Sequence, residues 1–185
     1  MKKILLILGI IVISILSIIG IWYFSNYDNE LVNVNEIKTD PNYENVIYEE
    51  SEDVWSNDDI IGTLIIEKIN LKVNVKEGTD EDTLLNYVGH IEETATYDGN
   101  IGLAGHNRGY NCAYFARINE LKEGDILVYK TKFYERQYKV TKKVAIFEDD
   151  WSLLKDSKEN KLTLITCIAN KRNQRLCVQA TEINN

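Results

Sequence analysis

Three cysteines, two histidines and one proline in 185 residues exclude several kinds of protein at once. An odd, small cysteine count builds no disulfide framework. A single Cys112–Cys177 bridge would suit an oxidising compartment and would still leave one thiol free. The lone proline, Pro41, lies outside every apolar run considered below, so none of those runs is interrupted by one. Repeats and low-complexity tracts are absent, which excludes solenoids and fibrous arrays. Positive charge is not in excess either, with 21 Lys and Arg against 29 Asp and Glu and a net charge of −8. Without a basic stripe, no nucleic-acid partner is expected.

The chain does contain one long hydrophobic run. Residues 4–24 are 21 consecutive uncharged positions, enough at about 1.5 Å per residue to cross the roughly 30 Å hydrocarbon core of a bilayer. Lys2 and Lys3 precede the run, and Asp28 and Glu30 follow it. This asymmetry predicts a cytoplasmic N-terminus at residues 1–3 and an uncleaved signal anchor at 4–24. A cleavable signal peptide is the rival reading, but Trp22-Tyr23-Phe24 resembles an interfacial anchor more than a small-x-small cleavage site. The rest of the chain is then extracellular, attached to the membrane by a single pass. Residues 25–58 hold ten acidic side chains and one lysine, which reads as a solvated acidic tether. Residues 59–185 are nearly balanced, with 19 acidic and 18 basic residues, and are long enough for one core.

Within that domain, β-branched runs bounded by turn residues predict eight strands: 60–69, 71–75, 100–105, 125–130, 134–140, 142–147, 161–167 and 175–183. Two short helices interrupt them. One follows the capping sequence Thr79-Asp80-Glu81-Asp82, and the other runs from about Tyr114 to Leu121. Many short strands with little helix predict a mainly all-β fold, a closed or nearly closed barrel.

The chemistry concentrates at strand ends. Cys167 closes the run Thr163-Leu164-Ile165-Thr166-Cys167 and is followed by polar residues, so its surroundings are not those of an inert buried thiol. Arg175 opens the next run, near enough to bias a thiol toward thiolate and suited to hold a carbonyl oxygen or oxyanion. Arg172 competes for that role but sits in the intervening loop. His106 ends the apolar strand Ile101-Gly102-Leu103-Ala104-Gly105, where an imidazole can shuttle protons. His90, in a Gly-His turn, is expected to be exposed. A thiol, an imidazole and a guanidinium are the parts of acyl-transfer chemistry.

These residues carry a family resemblance. The run 163–167 resembles the sortase signature TLxTC, Ala104-Gly105-His106 resembles the family's histidine segment, and Arg175-Leu176-Cys177-Val178 its arginine strand. Ile61-Gly62-Thr63-Leu64-Ile65-Ile66 is similar to its opening strand, and the similarity extends over roughly residues 59–183. The resemblance implies an eight-stranded sortase barrel with two or three short helices. It also implies cleavage of LPxTG-like sorting signals between Thr and Gly. Cys167 would be the nucleophile, His106 the proton shuttle and Arg175 the oxyanion and substrate holder. The implied partners are surface proteins bearing such signals and an amine on a peptidoglycan precursor, with no cofactor. Family members are proposed to act through a minor population carrying thiolate and imidazolium together, so the pH profile would report coupled titrations. No Asp-Pro-aromatic motif precedes the domain, and Asn185 follows the last predicted strand directly. Both features are more similar to class A or class D than to pilus-polymerising sortases.

Strand periodicity adds substrate-binding candidates. Ile165 and Cys167 share one strand face, as do Arg175 with Cys177 and Ala104 with His106. Ala104, Ile165 and Cys177 are therefore expected to wall the cleft against the Leu-Pro part of a signal, with Thr166 beside them. The alternative is that they close the core. Thiol reagents are expected to reach Cys177 as well as Cys167. Because class A relatives bind calcium through acidic loops, Glu92, Asp98 and Glu148 are calcium candidates by the same resemblance, set against the simpler reading of solvated carboxylates.

Overall fold

Large apolar side chains alternate along the strands, and most of the buried ones meet in one interior. Leu64 and Ile66, Val73 and Val75, Leu162 and Leu164, and Val178 and Ala180 form a single buried cluster. The computed structural model describes residues 12–22, 30–39, 59–109 and 112–183. Eight strands close around the cluster: β1 (Ile60–Ile66), β2 (Leu71–Glu77), β3 (Val88–His90), β4 (Asn100–Ala104), β5 (Ile126–Lys130), β6 (Glu135–Phe147), β7 (Lys161–Ile168) and β8 (Lys171–Glu182). Their order around the barrel is β1-β2-β3-β4-β7-β8-β6-β5. Two pairs, β2 with β3 and β4 with β7, are parallel, and the remaining neighbours are antiparallel.

The strand count matches the sequence reading, but the membership differs. The runs expected at 134–140 and 142–147 are one strand, β6, with a register shift between Val140 and Lys142. A bulge of this kind breaks the alternation without ending the pairing. The three-residue β3 is too short to show a period and was not expected. The tail of the first expected strand, Glu67–Ile69, turns into a 3-10 helix.

Asp80 caps the helix Glu81–Asn86 by accepting from Thr83 N–H, which satisfies a free amide of the first turn. The second expected helix shortens to a 3-10 turn at Ile118–Glu120. His90 is wholly buried and not exposed as expected, because Glu77 Oε1 lies 2.7 Å from Nδ1 and Ala95 O lies 3.0 Å from Nε2.

The chain divides into two compact units, Met1–Leu31 and Val32–Asn185. In the first, residues 12–22 are helical with exposed side chains. The flanks of the span expected at 4–24 lie outside the described residues, and no helix among those described is long and apolar enough to cross a membrane. In the second unit, part of the expected tether is not a solvated stalk. Val32, Val34 and Ile37 pack against the barrel core. Val32 N–H donates to Gln174 Oε1 (2.9 Å), Asn119 Nδ2 to Ile37 O (3.0 Å), and Thr39 Oγ1 to Glu120 Oε1 (2.9 Å). Residues 32–39 therefore form a strap seated on the barrel. Residues 25–29 and 40–58 of the expected tether lie outside the described residues.

Candidate active site

The register of three adjacent strands assembles the site. β4 runs parallel to β7 with Ala104 beside Ile165, and the Gly105 N–H continues the ladder to Ile165 O at 3.2 Å. His106 stands two residues past Ala104, as Cys167 stands two past Ile165, which puts both residues at the same end of these strands. On the other side, β8 pairs antiparallel to β7 with Cys167 directly opposite Arg175. Directly opposed residues point the same way from a sheet. Cys167 and Arg175 thus lie on neighbouring strands, and His106 two residues past the end of β4, at one end of the barrel. Cys167 is exposed, His106 is half-buried, and the Arg175 side chain is 27% exposed.

Each of these groups is held by residues that no motif names. Asn107 Nδ2 donates to the Cys167 carbonyl at 2.5 Å, tying the loop after His106 to the end of β7. Phe115 N–H donates to His106 O at 2.8 Å, and the Phe115 ring lies so close to Gly105 that a Cβ there would fall 2.9 Å from its Cγ. Glycine is needed at 105 because the ring occupies the place of a side chain.

Arg175 is fixed from several directions. Nη1 donates to Arg172 O (2.7 Å) and Gln174 O (3.0 Å), and Nη2 to Glu148 Oε2 (2.8 Å). The register jumps between Cys167–Arg175 and Ile168–Lys171, so residues 172–174 bulge, and Arg175 binds the bulge's own carbonyls. Among the described residues, the Nε–H and one Nη2 hydrogen meet no acceptor and stand uncommitted. Arg172 is exposed and serves as part of this frame through its carbonyl.

The expected wall residues separate into three situations. Ala104 and Ile165 are half-buried on the Cys167 face. Cys177 shares that face, opposite Ile165, but is fully enclosed, and burial pushes its thiol up to about 12. It therefore offers no surface to a ligand. The cover next to it comes from the loop between β6 and β7, latched down by a buried polar network. Thr163 Oγ1 donates to Asn100 Oδ1 (2.7 Å), Asn100 Nδ2 to Leu153 O (2.8 Å) and Lys155 O (2.9 Å), and Gln179 Nε2 to Leu153 O (3.0 Å). Each such bond contributes about 0.5–1.5 kcal/mol net. Thr166 points to the opposite face, where its hydroxyl donates to Gly105 O at 2.7 Å. On that flank it borders a cavity of about 360 Å³ that also reaches Cys167, Asn107 and the strap.

The calcium candidates do not form a site. Asp98 pairs with Arg136 at 2.7 Å and Glu148 with Arg175 at 2.8 Å, while Glu92 is exposed. Guanidinium groups occupy the oxygens that a hard cation would need, and no cluster of three or more potential ligands occurs among the described residues. Cys112 and Cys177 are unpaired.

Comparison with known proteins agrees with this architecture. A sortase-domain family model matches residues 64–183. Sortase A of Bacillus anthracis is 30% identical over 125 residues, covering 67% of this chain and 60% of that protein. Sortase D of Bacillus subtilis strain 168 is 35% identical over 109 residues, covering 57% of this chain and 53% of that protein. The chain thus spans between half and two thirds of the length of these curated relatives. The solved structure of a Clostridium perfringens sortase D5 transpeptidase matches with a TM-score of 0.61 and 31% identity, covering 68% of this chain and 79% of that one.

Proposed function

This chain belongs to the sortase family, and we propose that it is a cysteine transpeptidase acting on LPxTG-like sorting signals of surface proteins. The observation that supports this reading is the backbone register that sets Cys167 opposite Arg175 on β7 and β8 and ends β4 beside Ile165, two residues before His106. Cys167 Sγ attacks the threonine carbonyl carbon of the signal. The oxyanion that forms meets the uncommitted donors of Arg175, which are already oriented because the rest of the guanidinium is bound. His106 gives a proton to the departing glycine amine, the C–N bond breaks, and a thioacyl-enzyme remains. An amine of the cell wall then attacks the thioester, His106 takes its proton, and the thiolate leaves.

Ala104 and Ile165 are the wall that the Leu-Pro part of the signal contacts. Residues 4–24 anchor the chain in the membrane, with residues 59–185 as the extracellular catalytic domain.

The test is to incubate the full-length chain in detergent with an LPxTG-containing peptide, with and without an added primary amine. Amide product with amine and acid product without it are expected. Cys167→Ala should abolish both while leaving the unfolding midpoint unchanged. Turnover that persists in Cys167→Ala would refute the reading.

A further inference from the structure

Cys167 borders two different spaces. One is the face of Ala104 and Ile165. The other is the cavity of about 360 Å³, whose floor includes Phe115 and Leu176 and whose rim is formed partly by the strap. Thr166 and Leu176 point away from the face that carries Cys167 and Ile165, so the cavity reaches Cys167 from the flank opposite that face. If the acyl chain of a thioacyl-enzyme fills the first space, the second is the open approach to its carbonyl carbon.

The charge of this cavity is one-sided. Lys38 from the strap and Arg108 from the loop after His106 both line it, both are exposed, and neither makes an ion pair among the described residues. No carboxylate among the described residues lines it. The position of Lys38 is fixed rather than adventitious, since its neighbours Ile37 and Thr39 are bound to Asn119 and Glu120. A volume at the lower end of small-ligand pockets suits one or two amino-acid residues.

We propose that this cavity is the subsite for the incoming amine, and that the acceptor it takes carries a carboxylate held by Lys38 and Arg108. The inference rests on the transpeptidase reading and specifies the second substrate of that same site. The neutral amine enters past Asn107, its nitrogen bonds the thioester carbon, and the C–S bond breaks with its electron pair returning to Sγ. The amine proton passes to His106 and from there to the thiolate. The carboxylate takes no part in these steps and only orients the nucleophile.

Two matched acceptors test the proposal: Nα-acetyl-lysine, which keeps its carboxylate, and Nα-acetyl-lysinamide, which lacks it. The full-length chain is given an LPxTG peptide with each acceptor, and the ratio of the two aminolysis rates is read by mass spectrometry. Acetyl-lysine is expected to be preferred by about tenfold, the size of one charge-assisted bond. In Lys38→Gln/Arg108→Gln the ratio should approach one, and in Lys38→Glu it should fall below one, with unfolding midpoints confirming folded protein. Equal use of both acceptors by the unaltered chain would overturn the proposal, as would an unchanged preference in the double variant. Absence of both acid and amide products is a different failure: it would remove the transpeptidase reading and this inference with it.

Discussion

The side-chain amide of Asn107 donates a hydrogen bond to the main-chain carbonyl of Cys167 at 2.5 Å, joining the loop after His106 to the end of the cysteine strand. This bond couples the positions of two groups 60 residues apart in sequence. Asn107→Ala should lower kcat by about fivefold and cost no more than about 1 kcal/mol of stability, the worth of a lost hydrogen bond of this kind. Peptide turnover and chemical denaturation measured on the same variant check this. Normal kcat would show that the loop keeps its place without the bond.

The Glu148–Arg175 pair predicts a separation between stability and activity. Its side chains are 51% and 27% exposed, so its contribution to folding is about 0.2–1 kcal/mol at most. Its role in the proposed mechanism is to orient the guanidinium. Glu148→Ala should barely move the unfolding midpoint yet reduce kcat several-fold, while Glu148→Gln, which keeps an acceptor oxygen, should retain most of the rate. Equal losses in both variants would point to charge rather than orientation.

Gly105→Ala should damage the site through packing. The added methyl would lie 2.9 Å from Phe115 Cγ, so either the ring or the backbone preceding His106 must move. The cost expected for such overpacking is about 1–3 kcal/mol, with a marked fall in turnover. Urea denaturation and a peptide assay read the two effects.

The cysteines should be modified in a fixed order. Exposed Cys167 reacts first with iodoacetamide and half-buried Cys112 later. Cys177 reacts only after unfolding, because burial both shields its sulfur and holds its thiol up at about 12, protonated throughout the neutral range. Peptide mapping of alkylated protein at pH 8, with and without denaturant, checks the order. Early labelling of Cys177 would mean that the β6–β7 loop opens readily.

Acid should loosen the strap. Glu120 is held below its ordinary pKa of 4.5, chiefly by the hydrogen bonds from Arg117 and further by the Thr39 hydroxyl. A lowered folded-state pKa contributes stability that is present above the unfolded value and lost as pH falls through the folded one. The Thr39 anchor should therefore weaken only below about 4.5. Limited proteolysis by an acid protease, compared between pH 5 and pH 3, should show cleavage near residue 39 appearing at the lower pH.

The residues proposed to carry the chemistry were legible because they stand at the ends of apolar runs. Cys167, Arg175 and His106 each stand where a β-branched stretch meets polar sequence, and the barrel aligns those ends. Their supports were not legible. Asn107, Glu148 and Phe115 act through contacts to distant residues, which leave no period or motif in the sequence. Cys177 shared the expected face but not the expected exposure, because a neighbouring loop, latched through Asn100, Thr163 and Gln179, encloses that part of the face. His90 misled for a related reason: a polar residue beside glycine suggests a turn, yet Glu77 and a backbone carbonyl satisfy both its nitrogens inside the protein.

The strap also bears on how the enzyme is prepared for study. A recombinant fragment trimmed to residue 59 would keep all three proposed reacting groups but would lose Lys38 and one side of the cavity beside Cys167. It would also bare the core surface that Val32, Val34 and Ile37 cover. Its rates would be those of an altered protein, and a fragment meant to report native kinetics has to begin ahead of Val32.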